Sequence, residues 1–231
     1  MRFYDPTEPL IYLRIPHCAG RSMVFLLARW FHEGYRQLDS DETAGIVSRI
    51  ATRDSEGNWL PDVRCLQASF DHGRGFGLPY YYPEIQQYIT ILRDPFDAAV
   101  SRYFAAKKLS REGHASFRDP VRKFSEHFPD VSSYLRQYPC WYFDHLPIGI
   151  DLSNYRRRLT EQFVYIGILE DLNGSVKSLA KLLGKPPFEI PRLNVSSFDE
   201  QVPEPLRVRF YQDYPLLKRI HEFALERYQC H

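Results

Sequence analysis

The apolar positions of this chain fall in short runs that alternate with longer stretches of helical spacing, the layout of buried strands joined by amphipathic helices. One stretch shows it best. Ile11 to Phe31 reads as a buried strand, a tight turn and a buried helix in immediate succession. Leu10 to Ile15 is rich in β-favouring residues, and Pro16 ends its ladder because it has no N–H to donate. Ala19 and Gly20 are small enough for backbone amides to close on a ligand. Arg21 and Ser22 then open a helix whose free N–H groups and dipole favour an anion. The predicted geometry is a phosphate cradle.

Val63 to Ser69 predicts a second strand, followed by the glycine-rich SFDHGRGFGLP, a bent loop that carries His72. Tyr88 to Leu92 predicts a third, running into Arg93-Asp94-Pro95, where Asp94 can cap and Pro95 can start a helix that reaches about Leu109. Spacings of three and four place Asp94, Asp97 and Ser101 along one face of that helix and bring Arg93 near Ser101. The polar connection from Asp39 to Asn58 holds one helical pattern (Ala44, Ile46, Val47, Ile50) and ends on the turn signal Glu56-Gly57-Asn58. A mixed, aromatic stretch at about 107–142, with helical patterns at Val121 to Phe128 and Val131 to Tyr138, predicts a helical insertion over the active face. Beyond it come a helix at Asn154 to Gln162, a strand at Phe163 to Leu169 and a helix at Leu172 to Leu183 closed by Gly184. Helical patterns at Pro205 to Tyr214 and Pro215 to Tyr228 finish the chain. Alternating strands and helices imply a mainly parallel sheet with helices on both faces. In such sheets ligands gather beyond the carboxyl ends of the strands, where the turns after Ile15, Ser69 and Leu92 fall.

Composition narrows the function classes. At 231 residues, with no repeat or low-complexity tract, the chain is expected to form one domain over 1–231. Lys plus Arg total 30 against 29 for Asp plus Glu, so bulk charge offers no case for a nucleic-acid partner, and any basic site must be local. The apolar run Met23 to Ala28 is too short to span a bilayer, and MRFYDPTEPL lacks the layout of a secretory signal. Cys18, Cys65, Cys140 and Cys230 are scattered without a C-x-x-C pair, which argues against a zinc site or a disulfide framework and for a soluble protein of the reducing cytoplasm.

Two familiar anion loops fail on spacing. In HCAGRS, Arg21 follows Cys18 too closely for a cysteine phosphatase, whose arginine would stand at Val24, although a helix N-terminus would lower the pKa of Cys18. A nucleoside-triphosphatase loop lacks both its first glycine and its lysine here. What Ile15-Pro16-His17-Cys18-Ala19-Gly20-Arg21-Ser22 resembles is the I-P-K-T-A-G-T-S turn of the bacterial and carbohydrate branch of the sulfotransferase family. YITILRDPFDAAVSRYF looks like that branch's second strand, R-D-P turn and helix, with Ser101 eight residues after Arg93. SFDHGRGFGL is similar to its histidine loop, through His72, and the motifs come in the family's order.

The resemblance implies a P-loop-like three-layer α/β fold and 3′-phosphoadenosine 5′-phosphosulfate (PAPS) as co-substrate, with no metal. Cys18, Ala19, Gly20, Arg21 and Ser22 would hold its 5′ end, and Arg93 and Ser101 its 3′ phosphate. His72 would take the proton of an acceptor hydroxyl, most naturally on a small molecule or oligosaccharide. His17 stands where the family carries a lysine that steadies the leaving nucleotide, and Arg21 replaces a threonine and could supply the permanent charge. That departure keeps open a noncatalytic nucleotide-binding protein of the same fold; a small phosphotransferase using the same cradle is also open. Plainer roles remain beside these: Arg93 bridging a carboxylate, Ser101 as a spacer, Tyr80-Tyr81-Tyr82 as core, and the clusters at Arg156-Arg157-Arg158 and around Lys107 as solvated faces.

Overall fold

The apolar runs become the strands of one central sheet. A computed structural model describes residues 2–38, 40–41, 46–47, 49–69, 82–112, 124–137, 139–190 and 202–229. In chain order the strands are β1 (Leu10–Leu13), β2 (Tyr35–Gln37), β3 (Ser40–Asp41), β4 (Ile46–Val47), β5 (Cys65–Ala68), β6 (Tyr88–Leu92) and β7 (Phe163–Ile168). The helices are α1 (Gly20–Phe31), α2 (Pro95–Glu112), α3 (Phe124–His127), α4 (Val131–Gln137), α5 (Tyr155–Gln162), α6 (Leu172–Leu183), α7 (Glu204–Asp213) and α8 (Pro215–Gln229). A 3-10 helix spans Pro139–His145.

Five strands pair in the order β2-β5-β1-β6-β7, all parallel, and β3 with β4 forms a separate antiparallel pair. Helices cover both faces, so β1 is buried at all four positions and reads as a continuous apolar run rather than an alternation. Ile11, Leu13 and Ile15 point into one core with Phe96, Ala99 and Tyr103 of α2 and Ile220 and Phe223 of α8. Leu10 and Tyr12 point into the other, with Met23, Leu26 and Leu27 of α1 and Val176 and Leu179 of α6. Each buried Leu or Ile contributes about 1.5–3 kcal/mol relative to exposure. A register shift between β6 and β7 skips Val164, and that bulge lets Val164 and Tyr165 both face the α1 side. The expected three-layer α/β architecture with a parallel sheet is therefore present.

The sheet also has a topological switch. From β1 the chain crosses through α1 to β2 at one edge, and from β6 it proceeds to β7 at the other, so the neighbours β1 and β6 send their turns in opposite directions. Their ladder stops at Tyr12 and Ile89, and beyond it the Thr90 hydroxyl donates to the Leu13 carbonyl at 2.9 Å.

Several boundaries moved. The strand predicted over Leu10 to Ile15 ends at Leu13, that over Val63 to Ser69 narrows to Cys65–Ala68, and the helix after Arg93 continues to Glu112. The pattern at Ala44 to Ile50 is not helical at Ile46–Val47, which pair as a strand; two apolar residues in a polar segment fit either period. β2 was not foreseen, because Tyr-Arg-Gln on a half-exposed edge has no apolar run. Within 107–142 the helices α3 and α4 and the 3-10 turn are present, and Tyr103, Phe124, Phe128 and Tyr134 stack there at 5.1–5.8 Å. No helix among the described residues is long and apolar enough to cross a membrane.

Candidate active site

At the end of β1 the backbone reverses through two left-handed residues that are not glycine, His17 at φ 63 and Ala19 at φ 58. Such residues cost free energy and persist where the surroundings enforce them. Ala19 is the N-cap of α1, and its methyl offers no acceptor, so the first-turn N–H groups receive no side-chain cap. The first turn holds no acidic residue either; it presents exposed Arg21 and buried Ser22. The second turn is built the opposite way. Asp94 accepts from the Asp97 N–H at 3.0 Å, and Arg207 of α7 binds Asp94 at 2.9 Å and also Asp97. The α2 N-terminus is thus satisfied within the chain, whereas that of α1 receives no bond from its N-cap side chain.

Arg93 does not bridge the neighbouring carboxylate. Its Nη1 reaches the His17 carbonyl at 3.4 Å, and its own peptide is pinned by Tyr142, whose hydroxyl donates to the Arg93 carbonyl at 3.2 Å and accepts from the Arg93 N–H at 3.4 Å. From the other wall Ser101, buried on α2, places Oγ 3.4 Å from His17 Nδ1. The two turns therefore meet at His17. Glu170, just after β7, accepts from the Asp94 N–H at 2.7 Å and fixes the second turn to the sheet.

Burial drives the His17 pKa down to about 4, and the guanidiniums of Arg102, Arg93 and Arg14 push it the same way. The imidazole is neutral at pH 7. Among the described residues no carboxylate pairs with Arg14 or Arg93. Positive charge gathered beside a helix N-terminus that lacks a side-chain cap suits an oxyanion.

Cys18 differs from expectation. Its thiol is fully buried, and burial raises its pKa to about 12 against the lowering effect of Arg93 and a Tyr142 hydrogen bond. Desolvation outweighs the helix end, so the Cys18 side chain stays a thiol, and its N–H donates to the Ile15 carbonyl at 3.3 Å.

Of the predicted site residues, His17, Cys18, Ala19, Gly20, Arg21 and Ser22 form the first turn, and Arg93 and Ser101 join it from the second. His72, Tyr80 and Tyr81 lie outside the described residues, while Tyr82 is core and its hydroxyl accepts from the Ile50 N–H at 3.0 Å. Arg156 pairs with Glu226 through two bonds of 2.8 and 3.0 Å and Arg157 is exposed, so both are solvated, whereas Arg158 is half-buried. Arg14, Arg102, Tyr142 and Glu170 were not anticipated. Alternation from Leu10 and Tyr12 could have placed Arg14 on the α1 side, and adjacency to Ser101 could have flagged Arg102. No group of three or more His, Cys, Asp or Glu among the described residues is placed to hold a metal.

No family model and no curated protein matches the chain. Among solved structures, a sulfotransferase from Alicyclobacillus acidocaldarius is similar over 94% of this chain and 96% of its own, at 17% identity and a TM-score of 0.48. Mouse sulfotransferase SULT7A1, complexed with PAP, is similar over 91% of this chain and 64% of its own, at 16% identity and a TM-score of 0.43. The two turns, rather than these likenesses, carry the chemistry. The chain is an α/β protein whose five-stranded parallel sheet gathers three guanidiniums around a neutral imidazole at its switch point.

Proposed function

We propose that the chain is a PAPS-dependent sulfotransferase that modifies a hydroxyl, on a carbohydrate by resemblance of its motifs to that branch. One observation carries the reading: two turns on adjacent strands meet at His17, one with a helix N-terminus that lacks a side-chain cap and the other with Arg93 and Ser101. A nucleotide with phosphate groups at both ends needs two such anion sites. The N–H groups of the α1 first turn and Ser22 would hold the 5′ end. Arg93, with its planar fork, and Ser101 would hold the 3′ phosphate. The donor supplies the activated sulfuryl group. With the neutral His17 donating its Nδ1–H to Ser101 Oγ, the single proton of that hydroxyl is left for the 3′ phosphate. His72 takes the hydroxyl proton of the acceptor, a role that rests on its loop's resemblance to the family. We assign the whole of 1–231 to one such domain in the cytoplasm, in keeping with Cys18 and Cys65 as buried free thiols.

Calorimetry with 3′-phosphoadenosine 5′-phosphate tests the site, with binding expected to the native chain; absence of binding rejects the proposal. The neutrality of His17 favours one second reading, a nucleotide-binding protein without transfer activity. It is separated by binding of the bisphosphate with no labelled sulfate passed to any acceptor in a broad panel.

A further inference from the structure

Arg14 has no part in the motifs that suggested the function, yet the fold aims it at the cradle. It follows Leu10 and Tyr12 at the strand period of two, and those residues face α1 and α6. Its main-chain N–H is tied to β5, donating to the Ala68 carbonyl at 3.0 Å, so the side chain leaves a fixed backbone. It then lies across Gly20, the first residue of α1. A Cβ built on Gly20 would come within 2.5 Å of Arg14 Nε and 3.2 Å of Arg14 Cγ and Cδ. The φ of Gly20 needs no glycine, because positive-φ glycines among the described residues are Gly57, Gly149 and Gly184 only. The missing side chain at position 20 is therefore what lets the guanidinium lie against the uncapped first turn. No carboxylate among the described residues neutralises it, and its field reaches His17.

We propose that Arg14 is the permanent cation of the 5′ half of the site, seated on Gly20, and that it contacts the oxyanion docked at the α1 N-terminus. The inference rests on the nucleotide reading above and adds the residue that supplies charge where His17 is neutral. Arg21 sits exposed on the first turn, whereas Arg14 is partly buried and held between strand and helix, which makes it the more rigid donor.

The test is calorimetric titration of native protein and three variants with two probes, adenosine 3′,5′-bisphosphate and adenosine 3′-monophosphate, which lacks the 5′ group. Arg14→Met should weaken the bisphosphate roughly 10- to 100-fold, the loss of one charge-assisted contact, and leave the monophosphate within about twofold. Gly20→Ala should reproduce that selective loss by displacing the guanidinium. Arg14→Lys, which keeps charge without the fork, should fall between and serves as the second variant if Arg14→Met folds poorly by near-UV circular dichroism. Native protein that binds the bisphosphate, with Arg14 variants that bind it equally well or lose both probes alike, overturns the role of Arg14 alone. Native protein that binds neither probe overturns the nucleotide reading and this inference with it.

Discussion

His17 gives the most quantitative handle on the site, because a histidine kept neutral by its surroundings must make the fold acid-sensitive. Burial, then Arg102, Arg93 and Arg14, depress its pKa from the ordinary 6.5 to about 4. Between those values the unfolded chain binds a proton that the folded chain refuses, so stability is complete above the unfolded pKa and is lost as pH falls toward the folded one. The full effect is about 3 kcal/mol, and between about pH 8 and about pH 5 it amounts to about 2 kcal/mol. His17→Asn removes the titration while suiting the left-handed backbone at φ 63, since asparagine tolerates that region better than other non-glycine residues. Urea unfolding of both proteins at the two pH values isolates the contribution, because every other titrating group is common to them. The native chain should lose about 2 kcal/mol more than the variant over that interval. Equal losses would refute the claim that His17 is held neutral by the arginines and by burial.

Three further outcomes follow from the same geometry. An oxyanion bound among Arg14, Arg93 and Arg102 offsets the field that depresses His17, so bisphosphate binding should take up a proton. Its affinity should then rise more steeply toward acid in native protein than in His17→Asn, as read by calorimetry in buffers of different ionisation enthalpy. Cys18, with its thiol pushed up to about 12 and fully buried, should resist alkylation by iodoacetamide at about pH 8 until the chain is unfolded; rapid native modification would contradict its burial. Arg207→Met should destabilise the fold by about 1 kcal/mol in urea unfolding, since it leaves Asp94 and Asp97 unpaired and removes a cation 4.6 Å over the Phe96 ring.

Legibility in the sequence followed the strength of local rules. Leu172–Leu183 was placed at both ends, because Asp171 caps it through the Gly174 N–H at 3.0 Å and Gly184 closes it at φ 62. Tyr88–Leu92 and its turn were equally plain, and Asp94 caps α2 as its position before Pro95 suggested. The meeting of Arg93, Ser101 and His17 followed once β1 and β6 were neighbours, a pairing that no local pattern encodes. Long-range placement hid the rest. Arg14 matters through Gly20, six positions away across a turn, and Tyr142 reaches Arg93 from a 3-10 helix whose aromatic run reads as core. Cys18 shows a local rule losing to a global one, where burial from the α2 side overrides the helix dipole.

The central claim is that two turns form one site for a nucleotide with anions at both ends, and a crystal structure with adenosine 3′,5′-bisphosphate tests it most directly. The account predicts the 5′ phosphate at the α1 N-terminus within hydrogen-bond reach of Ser22 and Arg14, and the 3′ phosphate against Arg93 and Ser101. A nucleotide bound elsewhere, or bound with its two phosphates exchanged, would contradict it.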